Sequence, residues 1–102
     1  MADQTRGNVL VVDDEPTIAE VVSRYLQRAG YETRIAVDGA AALACASERR
    51  PDLVVLDLML PKIGGLEVMR QLRESDPSRL PIILLIVAAL CYVGFQRSVS
   101  GR

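Results

Sequence analysis

Residues 52–65 read DLVVLDLMLPKIGG, and the chain is organised around them. Leu53 to Leu56 form a short apolar run that leads into a lone carboxylate, Asp57, and three further apolar residues. Pro61 and the Gly64-Gly65 pair then break the run. A run of this length bounded by turn signals predicts a strand buried on both faces, as in a parallel sheet. Asp57 falls where that strand should end, and in open α/β sheets ligands bind at the carboxyl ends of the strands.

A second run supports the same reading. Val9 to Val12 is followed at once by Asp13, Asp14 and Glu15. If the two strands are parallel neighbours, Asp13, Asp14 and Asp57 meet at one sheet edge. Carboxylates that close repel unless one takes up a proton or a cation binds. Oxygen donors without Cys or His favour a hard ion, Mg²⁺. A single Asp after a strand is ordinarily a turn former or helix N-cap. Three acids, each following a buried strand, outweigh that reading.

At 102 residues the chain is long enough for one domain with a modest core. Half the residues are apolar and 25% are charged, a globular balance. The net charge of −1 creates no global field toward nucleic acid or acidic membranes. All 13 acids lie at or before Asp76, whereas Arg79, Arg97 and Arg102 follow it. Cys45 and Cys91 lack metal-ligand spacing and read as small hydrophobes. The absence of His excludes histidine-based catalysis and the histidine-kinase role. There is no glycine-rich phosphate loop and no basic recognition helix, so no nucleic-acid contact by this chain is expected. The opening residues carry no secretory signal, which points to the cytoplasm.

Along the chain, residues 1–7 are expected to form a flexible polar leader. Glu15-Pro16 opens a helix in which Ile18, Val21, Val22, Tyr25 and Leu26 predict the core-facing stripe, with Gly30 as its stop. Glu20, Arg24, Gln27 and Arg28 are assigned to the wet side. Residues 31–37 predict a second strand, with Thr33 and Ile35 on one face and Glu32 and Arg34 on the other. Asp38-Gly39 makes a turn, and Ala40 to Arg50 an Ala-rich helix. The next helix is assigned a buried stripe of Leu66, Met69 and Leu72, with Glu67, Arg70, Arg73 and Glu74 in water. Leu80 to Leu85 predicts a fourth strand. The βαβαβ order calls for right-handed crossovers and a doubly wound parallel α/β sheet.

VLVVDDEP followed by VVLDLMLPKIGG resembles the receiver domain of bacterial two-component response regulators, over roughly residues 8–85. The resemblance implies a flavodoxin-like fold. It implies Mg²⁺ held by Asp14, Asp57 and the Met59 carbonyl, with Asp13 acting through a bound water. It also implies that Asp57 accepts a phosphoryl group from the phosphohistidine of a sensor histidine kinase, a non-enzymatic signalling role. Phosphoryl transfer chiefly needs positioning and charge neutralisation, which suits such a cluster. Lys62, the sole lysine, is expected near the rim of the acids but does not match the family's phosphoryl-contacting Lys.

Beyond Leu85 the resemblance stops. Ile86 stands where the family has a Thr or Ser, and residues 86–102 form a divergent apolar-then-basic tail without the usual later helices, fifth strand or Lys. This predicts an incomplete receiver, as from a truncated or frameshifted product, with impaired switching and an exposed sheet edge open to self-association. The alternatives are a non-catalytic fragment that binds a kinase or partner without signalling, and a receiver tethered to a membrane through residues 80–95. That uncharged stretch would span about 24 Å as a helix, short of the roughly 30 Å hydrocarbon core, so membrane insertion is the less favoured reading.

Overall fold

The computed structural model describes residues 6–76 and 80–85. Its elements are β1 (Asn8–Val12), α1 (Pro16–Arg28), β2 (Glu32–Ala36), α2 (Gly39–Glu48), β3 (Leu53–Asp57), α3 (Gly64–Ser75) and β4 (Ile82–Leu85). The strands form one parallel sheet in the order β2-β1-β3-β4. The expected doubly wound α/β architecture is present. Among the described residues no helix is long and apolar enough to cross a membrane.

Both central strands are buried on both faces, and their alternate side chains feed two cores. Leu10, Val12, Val54 and Leu56 point toward Ala42 of α2 and Val68 and Leu72 of α3. Val9, Val11 and Val55 point the other way, toward Ala19 of α1. Leu10 and Leu56 are wholly shielded from water, and each such burial stabilises the fold by about 2–3 kcal/mol. This explains why β1 and β3 are nearly unbroken apolar runs, while the edge strand β2 tolerates Glu32 and Arg34.

Helix α1 begins with Pro16 in its first turn and ends in a Schellman motif. Tyr31 N–H donates to Leu26 O and Gly30 N–H to Gln27 O, both at 3.0 Å. Gly30 has a φ of +100°, which glycine adopts without steric cost. Asp38 caps α2, its Oδ1 accepting from Ala41 N–H at 2.8 Å.

Two helical stripes are rotated from their expected positions. In α1 the buried residues are Ala19 and Ser23, flanked by half-buried Ile18, Val22 and Leu26, while Val21 and Tyr25 are 48% and 68% exposed. Small residues let the helix lie close to the sheet, and Ser23 enters the interface by a hydrogen bond to Thr33 of β2. Periodicity of large apolar residues cannot see a face centred on Ala and Ser. In α3 the buried positions are Gly65, Val68 and Leu72, and Leu66 is 58% exposed. That stripe is centred on a glycine, for a reason given with the site.

Arg6 and Gly7 are hydrogen-bonded to the fold. Arg6 N–H donates to Gly30 O at 2.8 Å, and Gly7 O accepts from Glu32 N–H at 2.9 Å. Helix α2 stops at Glu48 rather than Arg50, and Arg49 turns back to pair with Glu32 at 2.9 Å. At that end of the sheet Arg34 donates to Cys45 O, Arg49 O and Asn8 Oδ1, and Asn8 is held in turn by Asp52. This polar network closes the end of the sheet opposite Asp13 and Asp57. Expectations for Ile86, Cys91 and the tail from residue 86 fall outside the described residues.

Candidate functional site

Strand register brings the acids together. Val12 pairs with Leu56, so Asp13 and Asp57, each the next residue, leave neighbouring strands side by side. One carboxylate oxygen from each of Asp13, Asp14 and Asp57 lies within 4.8 Å of the others. Asp13 and Asp57 are buried and Asp14 is exposed, so the cluster opens to solvent on the Asp14 side.

Each buried acid is oriented by a backbone amide two residues on. Glu15 N–H donates to Asp13 Oδ1 and Met59 N–H to Asp57 Oδ1, both at 2.9 Å. These are the Asx-type turns expected of Asp at a strand end, and they fix the rotation of both carboxylates. Among the described residues Met59 N–H is the one hydrogen-bond donor to the Asp57 carboxylate. The Met59 side chain itself is 62% exposed.

The electrostatics are those of a site that wants positive charge. Burial pushes the Asp13 carboxyl above its ordinary value, and repulsion from Asp57, Asp14 and Glu15 adds to the rise against the Glu15 N–H bond. No lysine or arginine compensates Asp13 by ion pair among the described residues. Three oxygen donors in this spacing fit a hard divalent cation such as Mg²⁺ and offer nothing to a soft one.

Lys62 is exposed and makes no hydrogen bond or ion pair among the described residues. It borders a cavity of about 90 Å³ with Asp38, Gly39, Pro61 and Ile63, beside the start of α2. Its φ of +66° is left-handed, uncommon for a residue with a side chain.

Comparison with known proteins agrees with this geometry. Residues 9–90 match the family described as response regulator receiver domain, so the match runs past Leu85. The chain belongs to the response regulator receiver family. It is 50% identical over 84 residues to the probable transcriptional regulatory protein TcrX of Mycobacterium tuberculosis, covering 82% of this chain and 36% of that protein. It is 46% identical over 83 residues to the DNA-binding response regulator MtrA of Mycolicibacterium smegmatis, covering 81% of this chain and 36% of that protein. The receiver thus spans about a third of the length of the curated relatives it matches. Among solved structures, the chemotaxis response regulator CheY4 of Vibrio cholerae superposes with a TM-score of 0.74 at 40% identity, covering 78% of this chain and 68% of that one. The N-terminal domain of a response regulator receiver protein from Methanoculleus marisnigri gives 0.74 at 32% identity, with coverages of 78% and 66%.

Three residues of the receiver's site region have packing roles that the sequence reading did not assign them. Leu60 is buried at 5% exposure and roots the loop that leaves Asp57. Gly65 is needed where α3 passes the strand end: a Cβ there would stand 2.5 Å from the Asp57 carbonyl oxygen. Gly39 likewise leaves room for Ile63. The paired glycines 64–65 read as a turn signal, and nothing in the local pattern says which one faces a backbone.

Proposed function

We propose that this receiver takes a phosphoryl group on Asp57 in a Mg²⁺-dependent reaction with the phosphohistidine of a sensor kinase. The observation that carries the reading is the convergence of Asp13, Asp14 and Asp57 within 4.8 Å. In the proposed arrangement Asp14, Asp57 and the Met59 carbonyl ligate the ion directly, and Asp13 does so through water. When bound, Mg²⁺ neutralises the acids and the charge on the transferring phosphoryl oxygens.

The protein's own share is positional. The Met59 N–H bond holds the Asp57 carboxylate in one rotation, and burial strips it of most of its water. An Asp57 oxygen attacks phosphorus, the N–P bond breaks, and the electron pair leaves with the donor imidazole, giving an acyl phosphate. Buried and flanked by like charges, Asp13 raises the cost of an empty pocket and so favours cation entry. Switching is proposed to be impaired, because Ile86 supplies no hydroxyl to the phosphoryl oxygens.

The test is phosphorylation of the purified chain by acetyl phosphate with and without Mg²⁺, read by intact mass. A Mg²⁺-dependent gain of one phosphoryl group that disappears in Asp57→Asn supports the reading. A folded chain that gains nothing overturns it and favours a binding fragment that docks a kinase without accepting phosphate.

Self-association through β4 belongs to the same proposal. Among the described residues β4 pairs with β3 alone, and its Ile83 is 49% exposed. Sedimentation over a hundredfold range of concentration tests it, since a mass that stays monomeric throughout removes the edge as a contact.

A further inference from the structure

The acid pocket has two halves carried by different parts of the chain. Asp13 and Asp14 follow β1, and Asp13 N–H donates to Ala36 O of β2 at 3.1 Å, which ties this half to the chain entering α2. Asp57 and Met59 belong to the other half, the loop from β3 into α3. Beyond the strand ladder, the two halves meet again where α2 faces the start of α3, and there Ile63 lies across Gly39, the first residue of α2.

The fit there is close. A Cβ on Gly39 would overlap Ile63 Cδ1 and would stand 2.7 Å from both Ile63 Cγ1 and Val68 Cγ2. Val68 is wholly buried and cannot yield, whereas Ile63 is 40% exposed. Between the buried Leu60 and the seated Ile63 lies Lys62 in its left-handed conformation. Such a conformation persists where the chain on both sides is fixed, and here the fixed points are Leu60 and Ile63. The loop leaving Asp57 is therefore clamped to the start of α2, three residues on from the Ala36 carbonyl that holds Asp13.

We infer that Gly39 and Ile63 form a clasp that sets the spacing between the Asp13–Asp14 half and the Asp57 half of the Mg²⁺ pocket. This rests on the metal reading above. Neither residue touches the ion; both are positioning residues. The clasp gives Gly39 a role beyond helix initiation, where alanine would otherwise be the better helix former.

The experiment is a MgCl₂ titration of ¹⁵N-labelled full chain, following the amides of Asp14, Asp57 and Met59 by NMR. Gly39→Ala is expected to weaken Mg²⁺ binding about tenfold or more, the scale of lost outer-shell support. Ile63→Ala is expected to weaken it several-fold. In the double variant the overlap with Ile63 Cδ1 and Cγ1 is gone while that with Val68 stays, so the combined loss is smaller than the product of the two single losses. Losses that multiply, or a folded Gly39→Ala that binds as tightly as the parent, overturn the clasp. If Gly39→Ala fails to fold, Ile63→Ala decides alone: it removes side-chain volume at a half-exposed position, and an unchanged affinity overturns the inference. A parent chain that shows no saturable Mg²⁺ shift overturns the metal site itself and the clasp with it, a result distinct from either of the others.

Discussion

Gly65 of α3 rests against the backbone of Asp57, so closely that a Cβ would lie 2.5 Å from the Asp57 carbonyl oxygen and 2.7 Å from Leu58 Cα. Its N–H also donates to Leu58 O at 3.1 Å. The start of the helix and the end of the strand are thus one packed unit. Backbone cannot swing aside as a side chain can. Gly65→Ala is expected to cost about 1–3 kcal/mol of stability, the range for overpacking, and to displace Asp57 as well. Urea unfolding gives the first effect. The second is read by Mg²⁺ titration of the fraction that remains folded, where a normal affinity would show that the strand end does not follow the helix.

Asp13 makes the metal-free receiver sensitive to pH in a definite direction. Burial and then neighbouring acids raise its folded carboxyl above the unfolded value. Between the unfolded value, about 4, and the raised folded one, the native state holds a proton that the unfolded state has lost. Stability therefore falls as pH rises through that window, and the deficit is complete above it. Asp13→Asn keeps an oxygen for the Glu15 N–H and removes the charge. In EDTA the variant should show a higher urea midpoint than the parent at pH 7 and a flatter profile through that window. Adding Mg²⁺ should raise the parent's midpoint by more than the variant's, which keeps the direct ligands but loses one charge. A variant less stable than the parent in EDTA would mean the carboxylate is not repelled in the native pocket.

The strands and the acid cluster were legible because the relevant physics is local in sequence. An apolar run bounded by turn signals is a buried strand wherever it packs, and an acid at its end reaches the sheet edge whatever the helices do. Helix faces are less legible. Val21 and Tyr25 look like core by size and spacing, yet Ala19 and Ser23 take the interface because a small surface lets α1 approach the sheet. In α3 the same error of one position arises at Leu66, because Gly65 is the residue pressed against Asp57. The contact of Gly39 with Ile63 joins residues far apart in sequence and leaves no periodic trace. Arg34 read simply as the outward face of an edge strand; that it reaches Cys45 O and Arg49 O depends on where α2 ends.

On the surface of α3, Arg70 grips Glu67 through two nitrogens, Nε at 3.1 Å and Nη2 at 2.5 Å, and Gln71 adds a third donor at 2.9 Å. These donors, Arg70 first and Gln71 next, hold the Glu67 carboxyl down at about 2. A depressed carboxyl contributes stability that is present above its unfolded value and is lost as pH falls through the folded one. Because Glu67 is solvated, the contribution is small, and Glu67→Gln should leave the urea midpoint at pH 7 almost unmoved. An NMR titration should place the Glu67 midpoint near 2 in the parent and return it toward the ordinary glutamate value in Arg70→Gln. A midpoint unchanged by that substitution would assign the depression to something other than the guanidinium.

Arg34 supplies the contrast that separates stability from site geometry. Its guanidinium donates to Cys45 O at 2.9 Å, Arg49 O at 2.8 Å and Asn8 Oδ1 at 3.1 Å, while its buried Nε has no partner among the described residues. Two of these acceptors lie at the end of α2: Arg49 O follows the last helical residue, and Cys45 O also accepts from Arg49 N–H at 3.2 Å. Arg34→Met would remove all three bonds, leaving Cys45 O with Arg49 N–H alone, and should cost about 2–3 kcal/mol, the scale of losing hydrogen bonds to a charged group. Arg34→Lys should recover only part of that, because an ammonium cannot span three acceptors in the guanidinium's planar fork. The network sits at the Asn8 end of β1, and the acids follow Val12 at the other end. Mg²⁺ affinity measured on the folded fraction should therefore be the same in both variants as in the parent, whereas Gly39→Ala, closer to the pocket, lowers it. If Arg34→Lys weakened Mg²⁺ binding as much as Gly39→Ala, loss of affinity would simply track loss of stability. The two halves of the pocket would then be held by the fold as a whole and not by the contact between Gly39 and Ile63.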